Sequence, residues 1–263
     1  MKSTLISNID EFQLVDSHIH LSASEFDLIR KELCYYLKIT KTLAFNVSET
    51  LQSSMNTLEI STPNTLSFVG IHPKYSINSN LDDFESFFKL NKKNIDGIGE
   101  IGLDNTYVKE GIDFNNQIAV FKFMLELAEK FNLPVSIHSR DATQEVLDIL
   151  SSYDIKCIML HWFSGTEIQL KQINNSDKLI SFGPALVYSK SMQKLAKNAN
   201  PDLTITETDG PVYFSACYQG KMAEPCFIPS IINTLSSLWN VPFDDIGAKI
   251  INNLKKYIVV NNK

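Results

Sequence analysis

The feature that most constrains the fold is an alternation. Short β-branched or apolar runs recur along the chain, separated by longer segments with helical periodicity. The runs are Gln13 to Leu21, Thr42 to Val47, Leu66 to His72, Ile95 to Leu103, Pro134 to His138, Cys157 to Phe163, Leu179 to Gly183 and Leu203 to Asp209, eight in all. Strands that alternate with helices pair in parallel, because each helix carries the chain back across the sheet. Eight such units in 263 residues match an α/β fold of the (β/α)8 TIM-barrel type, which typically fills about 250 residues. Residues 1–263 are therefore expected to form one domain.

The connecting segments carry the matching pattern. In Phe114 to Phe131, residues Ile118, Phe121, Leu125 and Ala128 recur at helical spacing, and Asn132 follows as a stop signal. Ala142 to Ser152, Thr166 to Asn174 and Ser189 to Asn198 read the same way, and Phe243 to Val259 closes the barrel. The competing fold, an open doubly wound sheet, lacks the expected GxGxxG after its first strand.

Composition removes several function classes. The formal charge of −6 provides no basic field for a polyanion, so nucleic acid is admitted only through a local positive centre such as bound metal. Only Arg30 and Arg140 are arginines among the 24 cations. Cys34, Cys157, Cys217 and Cys226 form no CxxC pair, which argues against a zinc knuckle and fits a reducing compartment, although Cys217 and Cys226 could pair within one loop. No run approaches the ~18 apolar residues of a membrane span, and the N-terminus is acidic where a leader needs an apolar stretch. The expectation is a cytoplasmic monomer, with a role as a complex subunit left open.

All five histidines, His18, His20, His72, His138 and His161, fall within or at the ends of predicted strands, on the face where such barrels carry their chemistry. Strand periodicity sets His18 and His20 on one face. Glu100 sits in the glycine-rich IGEIGLD run, and Glu207 and Asp209 stand two apart in TETDGP. Buried carboxylates need cations, and with two arginines in the chain a metal is the available partner. Imidazoles and carboxylates together suit Mg, Mn or Zn in one or two sites, which activate water for hydrolysis. Arg140 offers a fork for phosphate or, alternatively, a structural ion pair with Asp16 or Asp141.

The successive motifs DSHIHL (16–21), GIHP (70–73), GIGEIGLD (97–104), LPVSIHSRDA (133–142), HWFSG (161–165), SFGPAL (181–186) and TETDGP (206–211) resemble, in order and spacing, those of the TatD family of metal-dependent deoxyribonucleases. That resemblance implies hydrolysis of DNA, as a 3′-5′ exonuclease on single strands, with two divalent ions. It implies that His18, His20, Glu100 and Asp209 hold one ion, and that His138 and His161 hold the other, bridged by Glu100. It also implies that His72 meets substrate phosphate or the leaving group, and that Glu207 acts as a base or supporting acid on the attacking water.

Trp162 and the Gly210-Pro211-Val212-Tyr213 continuation depart from the family pattern and bear on pocket shape. Trp162 either stacks on a base or packs against the rim, and His72 before Pro73 could equally cap a turn. The loop Tyr213 to Pro229 is the expected seat of specificity, whereas Asn252 and Tyr257 are expected to be structural. Two other classes remain beside the nuclease: an amidohydrolase-type hydrolase of a small ester, lactone or amide, and a non-catalytic nucleic-acid-binding subunit. The absence of a strand-four lysine weighs against the first, and the complete ligand set against the second.

Overall fold

The computed structural model of the chain describes residues 9–259. Eight strands run in sequence order, each parallel to the next: β1 Leu14–Ile19, β2 Thr42–Val47, β3 Thr65–Val69, β4 Gly97–Gly102, β5 Val135–His138, β6 Ile158–Leu160, β7 Leu179–Phe182 and β8 Thr204–Thr206. The seam between β8 and β1 is drawn together just past the strands, where the Asp209 amide donates to the His18 carbonyl at 2.8 Å and the His20 amide to the Gly210 carbonyl at 2.8 Å. Thr206 Oγ1 adds a bond to the Val15 carbonyl, and Asp16 accepts from the Thr208 amide and hydroxyl. The expected barrel is present.

Nine helices of the α type lie among the described residues: α1 Arg30–Ile39, α2 Leu51–Glu59, α3 Leu81–Asn91, α4 Phe114–Phe131, α5 Thr143–Leu150, α6 Glu167–Asn174, α7 Lys190–Asn198, α8 Ile228–Trp239 and α9 Phe243–Val259. Their starts follow from local chemistry. Thr50 and Ser53 form a reciprocal cap on α2, as do Thr166 and Gln169 on α6, satisfying amide donors that a helix start leaves open. Helix α4 ends where Asn132 turns left-handed at φ 51°, as its position in the sequence predicts. Its buried face is Val120, Phe121, Met124, Leu125 and Ala128, each large apolar side chain contributing roughly 1.5–3 kcal/mol on burial.

Helix α9 seals the barrel. Tyr257 stacks on Phe45 of β2 at 5.9 Å and donates to the Val135 carbonyl of β5 at 2.7 Å, so it bridges two strands that lie well apart around the ring. The asparagine that works with it is Asn253: it is buried and donates to the Pro201 and Thr204 carbonyls at 2.8 Å each. Asn252, singled out from the sequence, is exposed. All four cysteines are free thiols, so Cys217 and Cys226 do not pair. Among the described residues no helix is long and apolar enough to cross a membrane.

The strands are shorter than the sequence implies, and the difference falls at the site. His20, His72, His161, Glu207 and Asp209 lie just beyond the paired residues. There the backbone leaves extended geometry, with Trp162 at φ 39° and Asp209 at φ 54°.

Candidate metal centre

The ends of β1, β3, β5, β6 and β8 bring six side chains around one carboxylate on β4. Glu100, buried at the centre, divides its two oxygens between two groups. Oε2 lies 3.3 Å from His18 Nε2 and 3.5 Å from His20 Nε2, and Asp209 Oδ1 stands 3.7 and 3.4 Å from the same nitrogens. Oε1 lies 2.7 Å from His138 Nδ1 and 2.8 Å from His161 Nε2. His72 Nε2 approaches Oε1 at 3.5 Å. The close approach of β4 to β5 requires glycine at 102, where φ is 142° and a Cβ would lie 2.0 Å from the His138 carbonyl oxygen.

Hydrogen bonds on the far ring nitrogens decide which lone pairs are available. His20 Nδ1 lies 2.9 Å from the Val47 carbonyl; a carbonyl only accepts, so Nδ1 carries a proton and the neutral ring presents Nε2 as a ligand. His138 Nε2 faces Asp104 at 2.7 Å, which leaves Nδ1 for a cation. His18 Nδ1 meets Ser136 Oγ at 3.0 Å, while its Nε2 is buried without a hydrogen-bond partner. An orphaned imidazole nitrogen beside two carboxylates fits a divalent ion. Groups of three with ligand atoms within 4.8 Å of one another include His18, His20 and Asp209, and His18, Glu100 and His161.

A third such group, His72, Glu100 and His138, differs in kind. His72 Nδ1 accepts the Lys74 amide at 3.2 Å, so a neutral His72 holds its proton on Nε2. Burial lowers its pKa to about 3. The bond from the Lys74 amide turns the Nε2 proton of a neutral His72 toward the centre, and it also caps the turn that begins at Pro73.

The charges balance through protons on the imidazoles. At His20 burial opposes the cation, but the hydrogen bond to Asp209 and the charges of Glu49, Glu100 and Asp209 outweigh it and raise the pKa to about 10. At His161 burial is likewise outweighed, here by Glu100 and Glu207. His18 moves the other way, lowered by burial and by its neighbour His161. For Glu100, burial is overcome by the ring of histidines around it, which holds its carboxyl well below the usual carboxylate range. Protonated imidazoles thus stand where cations are called for.

Asp209 lines the cavity above the centre, about 590 Å³ in volume, together with Arg140 and Trp162. Glu207 does not share its face. The left-handed turn at Asp209 breaks the strand alternation, and Glu207 is buried behind His161, its Oε2 accepting from Ser181 and lying 3.8 Å from His161 Nδ1. Arg140 pairs with Asp104 at 2.8 Å, not with Asp16 or Asp141, because β4 and β5 are neighbours and Asp16 is engaged by Thr208. Trp162 is half-buried, 5.1 Å from Phe214 in a small apolar cluster with Tyr218 and Phe227. It packs and lines the cavity at once.

Sequence reasoning did not single out Asp104, Ser136 or Glu49. Asp104 stands inside GIGEIGLD, four residues after Glu100, and that motif position was its only signal. Ser136 is two residues before His138 on the same strand face. Glu49 follows β2 and lines the cavity, with a pKa raised by burial and by the neighbouring Glu100 and Asp209 charges.

Comparison with known proteins gives the family and the fold. The family model described as TatD related DNase matches residues 15–258. A Bacillus subtilis protein named uncharacterized metal-dependent hydrolase YabD is 26% identical over 257 residues, spanning 94% of this chain and 100% of its own length. Human deoxyribonuclease TATDN3 is 27% identical over 213 residues, 75% of this chain and 78% of its own. Among solved structures, the TatD homologue YjjV from Escherichia coli superposes with a TM-score of 0.85 at 19% identity, covering 94% of this chain and 98% of that one, a likeness of fold. With a family model matched along nearly its whole length, the chain belongs to the TatD-related DNase family.

Proposed function

We propose that this chain is a metal-dependent phosphodiester hydrolase acting on DNA, a 3′-5′ exonuclease on single strands, with two divalent ions (Mg, Mn or Zn) and residues 1–263 acting as one hydrolase domain in the cytoplasm. The observation that carries the reading is the division of Glu100, one oxygen toward His18 and His20 and the other toward His138 and His161. His18, His20 and Asp209 would hold one ion, His138 and His161 the other, with Glu100 shared. Two such ions supply charge neutralisation for a phosphodiester and lower the pKa of a water.

The protein's own groups complete the reaction. Asp209, at the cavity floor, accepts the proton of the attacking water. His72 donates its Nε2 proton in a hydrogen bond to a phosphate or leaving-group oxygen. Glu207 acts through His161, which it faces from behind. Arg140 offers a forked donor to a phosphate oxygen, and Trp162 a ring for a base.

The cavity rim supports recognition of a strand end. Lys74, Tyr107 and Arg140 follow β3, β4 and β5, whereas Glu25 and Glu49 stand after β1 and β2. A phosphate chain is attracted along the first arc and repelled at the second, so it enters from one side and stops. The test is cleavage of 3′-labelled, 5′-labelled and circular single-stranded DNA with Mg or Mn. The reading expects immediate release of a 3′ label and no cutting of circles. Equal cutting of circles would overturn strand-end recognition, and no cleavage of any DNA by metal-loaded protein would overturn the nuclease reading in favour of a small ester or amide substrate.

A further inference from the structure

We propose that Asp104 is a positioning residue that couples the metal centre to the phosphate-binding arginine through one carboxylate oxygen. Its phosphate arm rests on the function proposed above; its metal arm rests on the centre alone. Asp104 Oδ2 lies 2.7 Å from His138 Nε2 and 2.8 Å from Arg140 Nε. The other oxygen, Oδ1, accepts from the Thr106 amide at 2.8 Å and the Thr106 hydroxyl at 2.5 Å. A fully buried carboxylate is costly unless its oxygens are satisfied, and here both are.

The backbone makes this position rigid. Past their paired strands, β4 and β5 stay joined: the Leu103 amide donates to the His138 carbonyl at 3.1 Å and the Asn105 amide to the Arg140 carbonyl at 3.2 Å. Gln117 of α4 clamps Asp104 from behind, accepting its amide at 2.8 Å and donating to its carbonyl at 3.1 Å. These bonds fix the Asp104 backbone, and the two Thr106 bonds to Oδ1 hold the carboxylate toward both partners.

Each partner gains a defined orientation. An anionic acceptor on Nε2 fixes the His138 tautomer and makes Nδ1 a stronger ligand. Arg140 has Nε on Asp104 and Nη2 on Thr106 Oγ1 at 2.7 Å, with its guanidinium 5.2 Å over the Tyr107 ring. Nη1 takes no part in these contacts, and the half-exposed Arg140 side chain borders the cavity.

The test titrates folded wild type, Asp104→Asn and Arg140→Gln with Co²⁺ by calorimetry and visible absorption, then with inorganic phosphate at saturating Co²⁺; neither measurement requires DNA cleavage. Asp104→Asn is expected to lose about 10- to 100-fold in affinity for the His138-side ion and to weaken phosphate binding as well. Arg140→Gln is expected to weaken phosphate binding alone, with Co²⁺ affinity within about twofold of wild type. Unchanged Co²⁺ affinity in Asp104→Asn, or an equal loss in both variants, overturns the proposal. Should Asp104→Asn not accumulate as folded protein, ¹⁵N-histidine spectra of zinc-loaded wild type decide: a slowly exchanging, downfield His138 Nε2 proton is expected, and its absence overturns the assignment.

Discussion

His18 and His161 stack face to face, ring centroids 3.8 Å apart and planes within 15°, yet they serve different oxygens of Glu100. Two buried imidazolium rings in that contact would repel strongly. One ring must be neutral, and burial with the neighbouring charge keeps His18 in that role. The proton stays on His161, held by Glu100 and Glu207. In metal-free protein, protons on His20 and His161 would supply the positive charge that Glu100 calls for.

Metal uptake is accordingly expected to release protons. His20 at about 10 and His161 well above its ordinary value are protonated in the ion-free protein at pH 7 to 8, and metal must displace those protons. Apparent affinity should rise with pH, and calorimetry in buffers of different ionisation enthalpy should detect the release. For the ion-free protein the sign is opposite. A histidine whose folded pKa is raised adds stability that is present below its unfolded value near 6.5 and is lost as pH climbs through the folded one. Thermal melts with EDTA should therefore fall between pH 6.5 and 10. A flat metal affinity over this range would contradict protonation of His20 and His161 in the ion-free protein.

Glu100→Gln keeps the shape and removes the shared charge. Since losing even an outer partner of a metal ligand costs about 10- to 100-fold, turnover should drop by at least about 100-fold. The folded state without metal should melt differently from wild type, because protonated His20 and His161 lose their common counter-charge. Steady-state cleavage assays and melts with EDTA check both.

The barrel was legible because each strand and helix carries its own periodicity, and the ligands because histidines cluster at strand ends and carboxylates recur in glycine-rich motifs. The depth of each group was not legible. Period two predicts that Glu207 and Asp209 share a face, but a left-handed residue at 209 sends one into the cavity and leaves the other beneath. Arg140 finds Asp104 because β4 and β5 adjoin, and the same closeness hid Asp104 from a reading based on residue spacing. Asn252 and Asn253 are adjacent on one helix, and only the rotation of α9 against β8 selects the second.

Trp162→Ala tests whether the ring serves substrate as well as packing. Stacking on a base is worth about 1–3 kcal/mol, or roughly a 5- to 150-fold loss in single-strand affinity. Trp162→Phe should retain much of it. Fluorescence anisotropy with labelled oligonucleotide and catalytically blocked protein measures this, and unchanged binding in Trp162→Ala would assign the ring to packing alone.

Asn253→Ala removes two hydrogen bonds, the one to Thr204 fully buried, and should destabilise the fold by about 1–3 kcal/mol, the cost of leaving carbonyls unsatisfied. Asn252→Ala, at an exposed position, should stay within about 0.5 kcal/mol. Urea titrations of both distinguish them, and equal midpoints would refute the assignment.

Two-ion hydrolysis of DNA is decided by titrating ion-free protein with Mn²⁺ while following hydrolysis of a 3′-labelled single strand and counting bound ions in the same samples. Activity should emerge between the first and second equivalents, when both sides of Glu100 are filled, and Glu100→Gln should show none. Full turnover at one equivalent, or no hydrolysis with two ions bound, would contradict a two-ion nuclease.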